Sequence, residues 1–179
     1  CFPFRHRSAL VAHLASKYSL IAVAVAHGKT TSTGMVVTAL SKLGADASFV
    51  HGGVIKEFGA SSGFGGGAQF VIEAAESDSS FLHYKTAIAL ITNVDPDHLD
   101  HFGSLEAFQK EFVQFAEGAS DFIVISADDV GAVQVAKMIQ NKKIISFGVS
   151  DFADLKITSL DASGAKVSFS LSYENQSAE

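Results

Sequence analysis

The chain is poor in cysteine: Cys1 is its only one, so no disulfide can form within it. That usage suits a reducing compartment, and a cytoplasmic setting is expected. Long apolar runs are also missing. The longest, Leu20 to Ala26, is far short of the roughly 20 residues that a membrane-spanning helix needs, so no membrane partner is expected. No basic segment with a cleavage site opens the chain, and no secretory signal is read. Charged residues make up only 18% and sum to −6, which argues against a broad nucleic-acid-binding face. Repeats and low-complexity tracts are absent too. What is present is 179 residues that are 47% hydrophobic, enough for one domain with a proper core and too apolar for disorder. The abrupt opening Cys1-Phe2-Pro3 and the close at Glu174 to Glu179 suit a piece of something larger.

Apolar spacing predicts a helix over 5–17, then a buried strand over 20–26. A helix follows over 29–43 with Gly44 as its stop. A short strand is expected over 47–50 and an exposed glycine-rich loop over 52–67. Strands at 69–73 and 88–93 each end in polar residues. Ser104 is expected to cap a helix to about 116, buried through Leu105, Phe108, Phe112 and Phe115. A strand at 122–125, a helix capped by Asp128 or Asp129 and a strand at 143–147 come next. Alternating segments at 155–160 and 166–173 flank a turn and read as a hairpin. Strands alternating with helices predict an α/β fold: a mostly parallel P-loop-type sheet, helices on both faces and a C-terminal antiparallel β-hairpin.

In such a sheet, ligands bind beyond the carboxyl ends of the strands. His27-Gly28-Lys29-Thr30-Thr31 lies there, between a strand and a helix. In that context Lys29 would neutralise β- and γ-phosphate oxygens and Thr30 would hold Mg²⁺ through its hydroxyl. An earlier glycine, usual in such loops, is absent; Val23 and Val25 stand where it could be. Glu73 ends its strand and suits a metal, although a surface carboxylate in an acidic run with Glu76 and Asp78 is the alternative. From Thr92 to Ser104 the chain packs Asn93, Asp95, Asp97, His98, Asp100 and His101 behind one strand. His98 could bind metal through its neutral imidazole. For Asp100 and His101 a solvated capping loop explains as much. His6, His13, His51 and His83 receive no role.

Three motifs together carry a resemblance. They are Ala26-His27-Gly28-Lys29-Thr30-Thr31, the segment from Glu73 to Phe81, and the segment from Ile91 to Ser104. Ser48 to Gly53 and Phe4-Arg5-His6-Arg7 add to it. The chain resembles the central, ATP-binding domain of the Mur ligases over nearly its whole length, and the Glu-Ser-Asp form of the second motif resembles the alanine-adding members.

The resemblance implies an ATP-dependent ligase that joins L-alanine to UDP-N-acetylmuramate through an acyl phosphate, in peptidoglycan precursor synthesis. It implies ATP and Mg²⁺ as cofactors and Ala26, His27, Gly28, Lys29, Thr30, Thr31 and Asn93 at the nucleotide. It makes Lys29, Glu73 and His98 the catalytic residues, with Thr30, Glu73 and His98 as metal ligands. It further implies a linker and helix over 1–18, a central domain over 19–179 that is incomplete at its C-terminal end, and flanking domains as partners without which the fragment is inactive. Three departures from the family pattern stand out; Val25, Ala26 and Ala75 favour a different class of function, a degenerate non-catalytic nucleotide-binding or regulatory module, whereas the retained Lys29, Thr30, Glu73, Asn93 and His98 favour the ligase. Val25-Ala26 replaces Gly-Thr, Ala75 replaces Asp, and Ser79 stands where Gly is frequent. A β-branched residue cannot take every backbone shape open to glycine, so weaker ATP binding is expected.

Overall fold

A computed structural model describes residues 7–75, 80–95, 103–164, 166–174 and 176–178. The elements in order are α1 (Arg7–Ala15), β1 (Ser19–Val23), α2 (Lys29–Lys42), β2 (Ser48–Ile55), β3 (Ala60–Gly63) and β4 (Gln69–Glu73). A short 3₁₀ turn (Ser80–His83) precedes β5 (Ile88–Ile91), α3 (Leu105–Glu117), β6 (Phe122–Ser126), α4 (Val130–Met138) and β7 (Ile144–Gly148). Then come β8 (Leu155–Asp161), β9 (Ser168–Tyr173) and β10 (Gln176–Ala178). They form one ten-stranded sheet in the order β10-β9-β8-β7-β6-β5-β1-β4-β2-β3. The strands from β8 through β2 in that order pair in parallel. Antiparallel pairing is confined to the ends, where β3 joins β2 and where β9 and β10 follow β8. The C-terminal hairpin therefore extends the same sheet, and the α/β expectation holds.

Side-chain alternation divides the core into two layers. Leu20, Ala22, Ala24, Phe70, Ile72, Ile123 and Ile125 face α1, α3 and α4. Ile21, Phe49 and Val71 face the other way and pack with Val37 of α2. Helices thus lie on both faces. An isolated 13-residue helix is marginal in water, so burial holds α3 in place. Phe108, Phe112 and Phe115 are buried, each contributing about 1.5–3 kcal/mol. The Phe81 ring stacks on Phe115, with centroids 5.0 Å apart. Leu105, expected on the buried face, is instead 42% exposed, because it stands in the first turn just past the Ser104 cap.

The loop expected over 52–67 is a second correction. β2 runs on to Ile55 and turns back as β3, with Phe49 opposite Gly63 and Ile55 opposite Ala60. Between Val50 and Ile55 the register shifts, so the strand leaves its ladder at His51-Gly52-Gly53.

The order of strands places the site. β1 lies between β4 and β5, and neither follows it directly in the chain. The C-terminal ends of these three strands therefore lie side by side, where open α/β sheets bind ligands in a crevice.

Candidate functional site

At the end of β1 the chain crosses buried Ala24 and Val25 and turns at Gly28, whose φ of 80° is left-handed. Glycine takes that shape without strain. No side chain caps α2 at Gly28, whereas Ser104 caps α3 through the Ala107 N–H and Asp129 caps α4 through the Ala132 N–H. The first turn of α2 thus presents amides and the positive end of its dipole toward the crevice. Lys29 Nζ donates to the Val25 carbonyl at 2.8 Å. An ammonium carries three donors, in the geometry that phosphate oxygens accept.

Two strand ends complete the surroundings. Thr30 Oγ1 donates to Glu73 Oε1 at 3.2 Å, and Glu73 Oε2 accepts the Gly52 N–H at 2.8 Å. A Cβ on Gly52 would stand 2.6 Å from Glu73 Oε2, so only glycine lets the carboxylate come this close. On the other side Asn93 grips the turn by its backbone. Its Oδ1 accepts the His27 N–H at 2.8 Å, and its Nδ2 donates to the His27 carbonyl at 2.9 Å. The Ala26 N–H also donates to the Asn93 carbonyl at 3.3 Å. The Asn93 side chain acts on the loop, ordering it.

Beyond Asn93, Asp95 approaches His27 Nε2 to 3.5 Å, with both side chains exposed. The Val94 N–H donates to Asp129 Oδ1, the atom that also caps α4. Gly131 admits the Val94 carbonyl, which would stand 1.8 Å from a Cβ there. Farther along the strand ends, Asp128 accepts the Ser150 hydroxyl and the N–H groups of Val149 and Ser150. The Ser150 hydroxyl first, and then those amides, hold its carboxyl below the ordinary value of 3.8.

Of the residues expected at the site, the fold gathers Ala26, His27, Gly28, Lys29, Thr30, Thr31, Glu73 and Asn93 around the end of β1. His98 lies outside the described residues, as do Glu76, Asp78, Ser79, Asp97, Asp100 and His101. Among the described residues, no group of three or more His, Cys, Asp or Glu side chains converges on a metal position. The Thr30 hydroxyl and the Glu73 carboxylate are nevertheless a fitting pair. Both are hard oxygen donors, and neighbouring ligands of an octahedral Mg²⁺ at about 2.1 Å lie about 3 Å apart, close to the 3.2 Å seen here.

Val25 does not distort the turn. Among residues 24–31 only Gly28 has a positive φ, and Val25 is fully buried. The backbone reason for expecting weaker nucleotide binding is therefore not met at Val25. His51, given no role from the sequence, joins the site: its Nε2 donates to the Thr30 carbonyl at 2.5 Å. The signal was its place beside Gly52-Gly53, since glycines inside a strand often mark a bulge or a close approach of another group.

Comparison with known proteins decides the kinship. Residues 26–179 match the model of the Mur ligase middle domain. The chain belongs to the Mur ligase family. A relative from Clavibacter sepedonicus, UDP-N-acetylmuramate--L-alanine ligase, is 54% identical over 175 residues, covering 98% of this chain and 36% of the relative. The chain thus spans about a third of the length of the curated relatives it matches. Among solved Mur ligases, the UDP-N-acetylmuramate:L-alanyl-gamma-D-glutamyl-meso-diaminopimelate ligase from Neisseria meningitides superposes with a TM-score of 0.79 at 25% identity, covering 96% of this chain and 56% of that one. The MurF ligase from Thermotoga maritima, in complex with ADP, superposes with a TM-score of 0.73 at 17% identity, covering 96% and 42%. At that identity the likeness is one of fold.

Proposed function

We propose that this Mur ligase chain is the nucleotide-binding part of an ATP-dependent enzyme that joins L-alanine to UDP-N-acetylmuramate. The single observation that carries the reading is the Thr30–Glu73 pair beside the Gly28-Lys29 turn, at the crevice between β1 and its neighbours. The name of the 54%-identical relative supports the substrates, and the bound ADP of the Thermotoga maritima ligase supports the nucleotide. Residues 19–179 would form the central domain and residues 1–18 its lead-in.

A carboxylate is a poor electrophile. In the proposed reaction a lactyl carboxylate oxygen of UDP-N-acetylmuramate attacks the γ-phosphorus of ATP, and ADP leaves. The amine nitrogen of L-alanine then attacks the acyl carbon of the resulting acyl phosphate, loses a proton, and inorganic phosphate departs with its bonding electrons. The protein's share is positioning and charge neutralisation. Lys29 and the open amides of α2 would hold the β- and γ-phosphate oxygens, and Asn93 keeps that turn in shape. Thr30 and Glu73 would hold Mg²⁺, with His98 a further ligand proposed on its motif alone. The ion, when bound, would supply positive charge for phosphate oxygens.

No helix among the described residues is long and apolar enough to cross a membrane, which is compatible with the cytoplasmic setting proposed here. Calorimetric titration of Mg-ATP into the chain tests the reading. Binding is expected for the native chain and loss of binding for Lys29→Ala; equal affinity of the two would remove the turn from the site. Ligation of L-alanine is to be assayed with the chain in its full-length setting, since the relatives that bear the activity are about three times as long.

A further inference from the structure

We propose that His51 is a positioning residue, which orients the first turn of α2 so that the Thr30 hydroxyl meets Glu73. The inference rests on the reading that Thr30 and Glu73 hold a divalent cation.

Three independent features converge on this imidazole. The first is its pair of contacts. Nε2 lies 2.5 Å from the Thr30 carbonyl, a group that can only accept, so in this contact the imidazole donates. Nδ1 faces Gly53, 2.7 Å from its carbonyl and 3.1 Å from its N–H. The ring is thus held at both ends, one end by the helix and the other by the strand that bears it.

The second feature is the space made for it. Gly34 lies on α2 one turn after Thr30, and a Cβ there would stand 3.2 Å from His51 Nε2. Glycine in a helix interior is unfavourable by about 1 kcal/mol relative to alanine, so its presence there calls for a reason. Admission of the ring supplies one.

The third feature is where the strut ends. β2 pairs with β4 only through Ser48, Phe49 and Val50, and its register shifts beyond that point. Leaving the ladder at His51 frees the Gly52 N–H to reach Glu73 Oε2. Glu73 Oε1 in turn meets Thr30 Oγ1, and the Thr30 carbonyl returns to His51. The links form a closed ring: His51, Thr30, Glu73, Gly52 and back along the chain to His51. Such a ring fixes the angle between the hydroxyl and the carboxylate, which neither α2 nor β4 would set alone. The ring also borders the cleft of about 630 Å³ between α2 and β2 that Thr30, Thr31, Gly34, His51 and Lys56 help to line.

Two variants separate the ends of the imidazole. In His51→Gln the side-chain amide overlays Nε2 and can still donate to Thr30. In His51→Asn it overlays Nδ1 and reaches only Gly53. In the nucleotide-free chain, backbone amide signals of Gly52 and of residues 28–31 are expected to stay near native positions in His51→Gln and to move in His51→Asn. With ATP, the gain in affinity on adding Mg²⁺ is expected to survive in His51→Gln and to fall by at least about fivefold in His51→Asn. Far-UV circular dichroism checks that both variants keep the fold. Native-like amide signals in His51→Asn overturn the proposal, and so does an undiminished Mg²⁺ gain. If the native chain itself gains nothing from Mg²⁺, the ligase reading fails, and the amide signals alone decide the role of His51.

Discussion

Thr30 and Glu73, 43 residues apart in the chain, meet at 3.2 Å where α2 begins and β4 ends. Their meeting depends on parallel pairing of β1 with β4, which places Val23 opposite Glu73. Neutralising the carboxylate by Glu73→Gln is expected to remove most of the Mg²⁺-dependent gain in ATP affinity, about tenfold or more. Removing the hydroxyl by Thr30→Ala is expected to act in the same direction. Titrations of ATP with Mg²⁺ and with a chelator provide the measurement, and an unchanged gain in both variants would remove the pair from any metal site.

Asn93 secures the turn with two hydrogen bonds to the His27 backbone. Asn93→Ala removes both, together with the Nδ2 bond to Thr92 Oγ1, and at about 0.5–1.5 kcal/mol each the expected loss of stability is about 1.5–4.5 kcal/mol. Asn93→Asp keeps the acceptor and loses the donor, so it is expected to fall between. Urea unfolding midpoints at constant slope check the order. A stability loss in Asn93→Asp as large as in Asn93→Ala would argue that the acceptor contributes nothing.

Gly131 tests a contact of a different kind. A Cβ at this position would lie 1.8 Å from the Val94 carbonyl oxygen, a backbone atom that cannot swing aside. Gly131→Ala is therefore expected to destabilise by about 3 kcal/mol or more, opposite to the usual benefit of alanine in a helix. Thermal melting reads this directly. A melting point equal to the native one would mean that α4 can shift without cost.

The acid limb of stability should carry a signature of Asp128. Its folded pKa lies below 3.8, chiefly through the Ser150 hydroxyl. The unfolded chain then binds the proton more tightly than the folded one. The contribution is complete above the ordinary carboxylate value and is lost as pH falls through the folded value. Asp128→Asn is expected to lower stability at pH 7 and to flatten its dependence as pH falls below the ordinary carboxylate value. Asp128 is exposed, so the effect is modest. Ser150→Ala should move the Asp128 titration, followed by carboxyl NMR, back toward 3.8.

Much of the fold was legible because buried parallel strands write continuous apolar runs and their helices write a longer period. Ser104 and Asp129 cap where such residues should. β3 was not legible. Its Ala-Ser-Ser-Gly sequence has no apolar alternation, and pairing with β2 at the sheet's edge creates the strand. The placement of Lys29, Thr30 and Glu73 at neighbouring strand ends was readable because each follows or closes a buried apolar run. His51 was not, because its partners are backbone groups of Thr30 and Gly53, and nothing in a sequence marks a carbonyl as a partner.

β1 is flanked by strands that the chain reaches only later, and this has a consequence for folding. A chain that has formed β1 and α2 but not yet docked β4 and β5 carries the Gly-Lys-Thr turn without Glu73 or Asn93 beside it. Any competence to bind at the turn would therefore arrive late, with the long-range pairings that are slowest to form. A ligand seated at the turn would bind the finished sheet in preference to any earlier state, so occupancy would serve as a report that the middle of the molecule is closed.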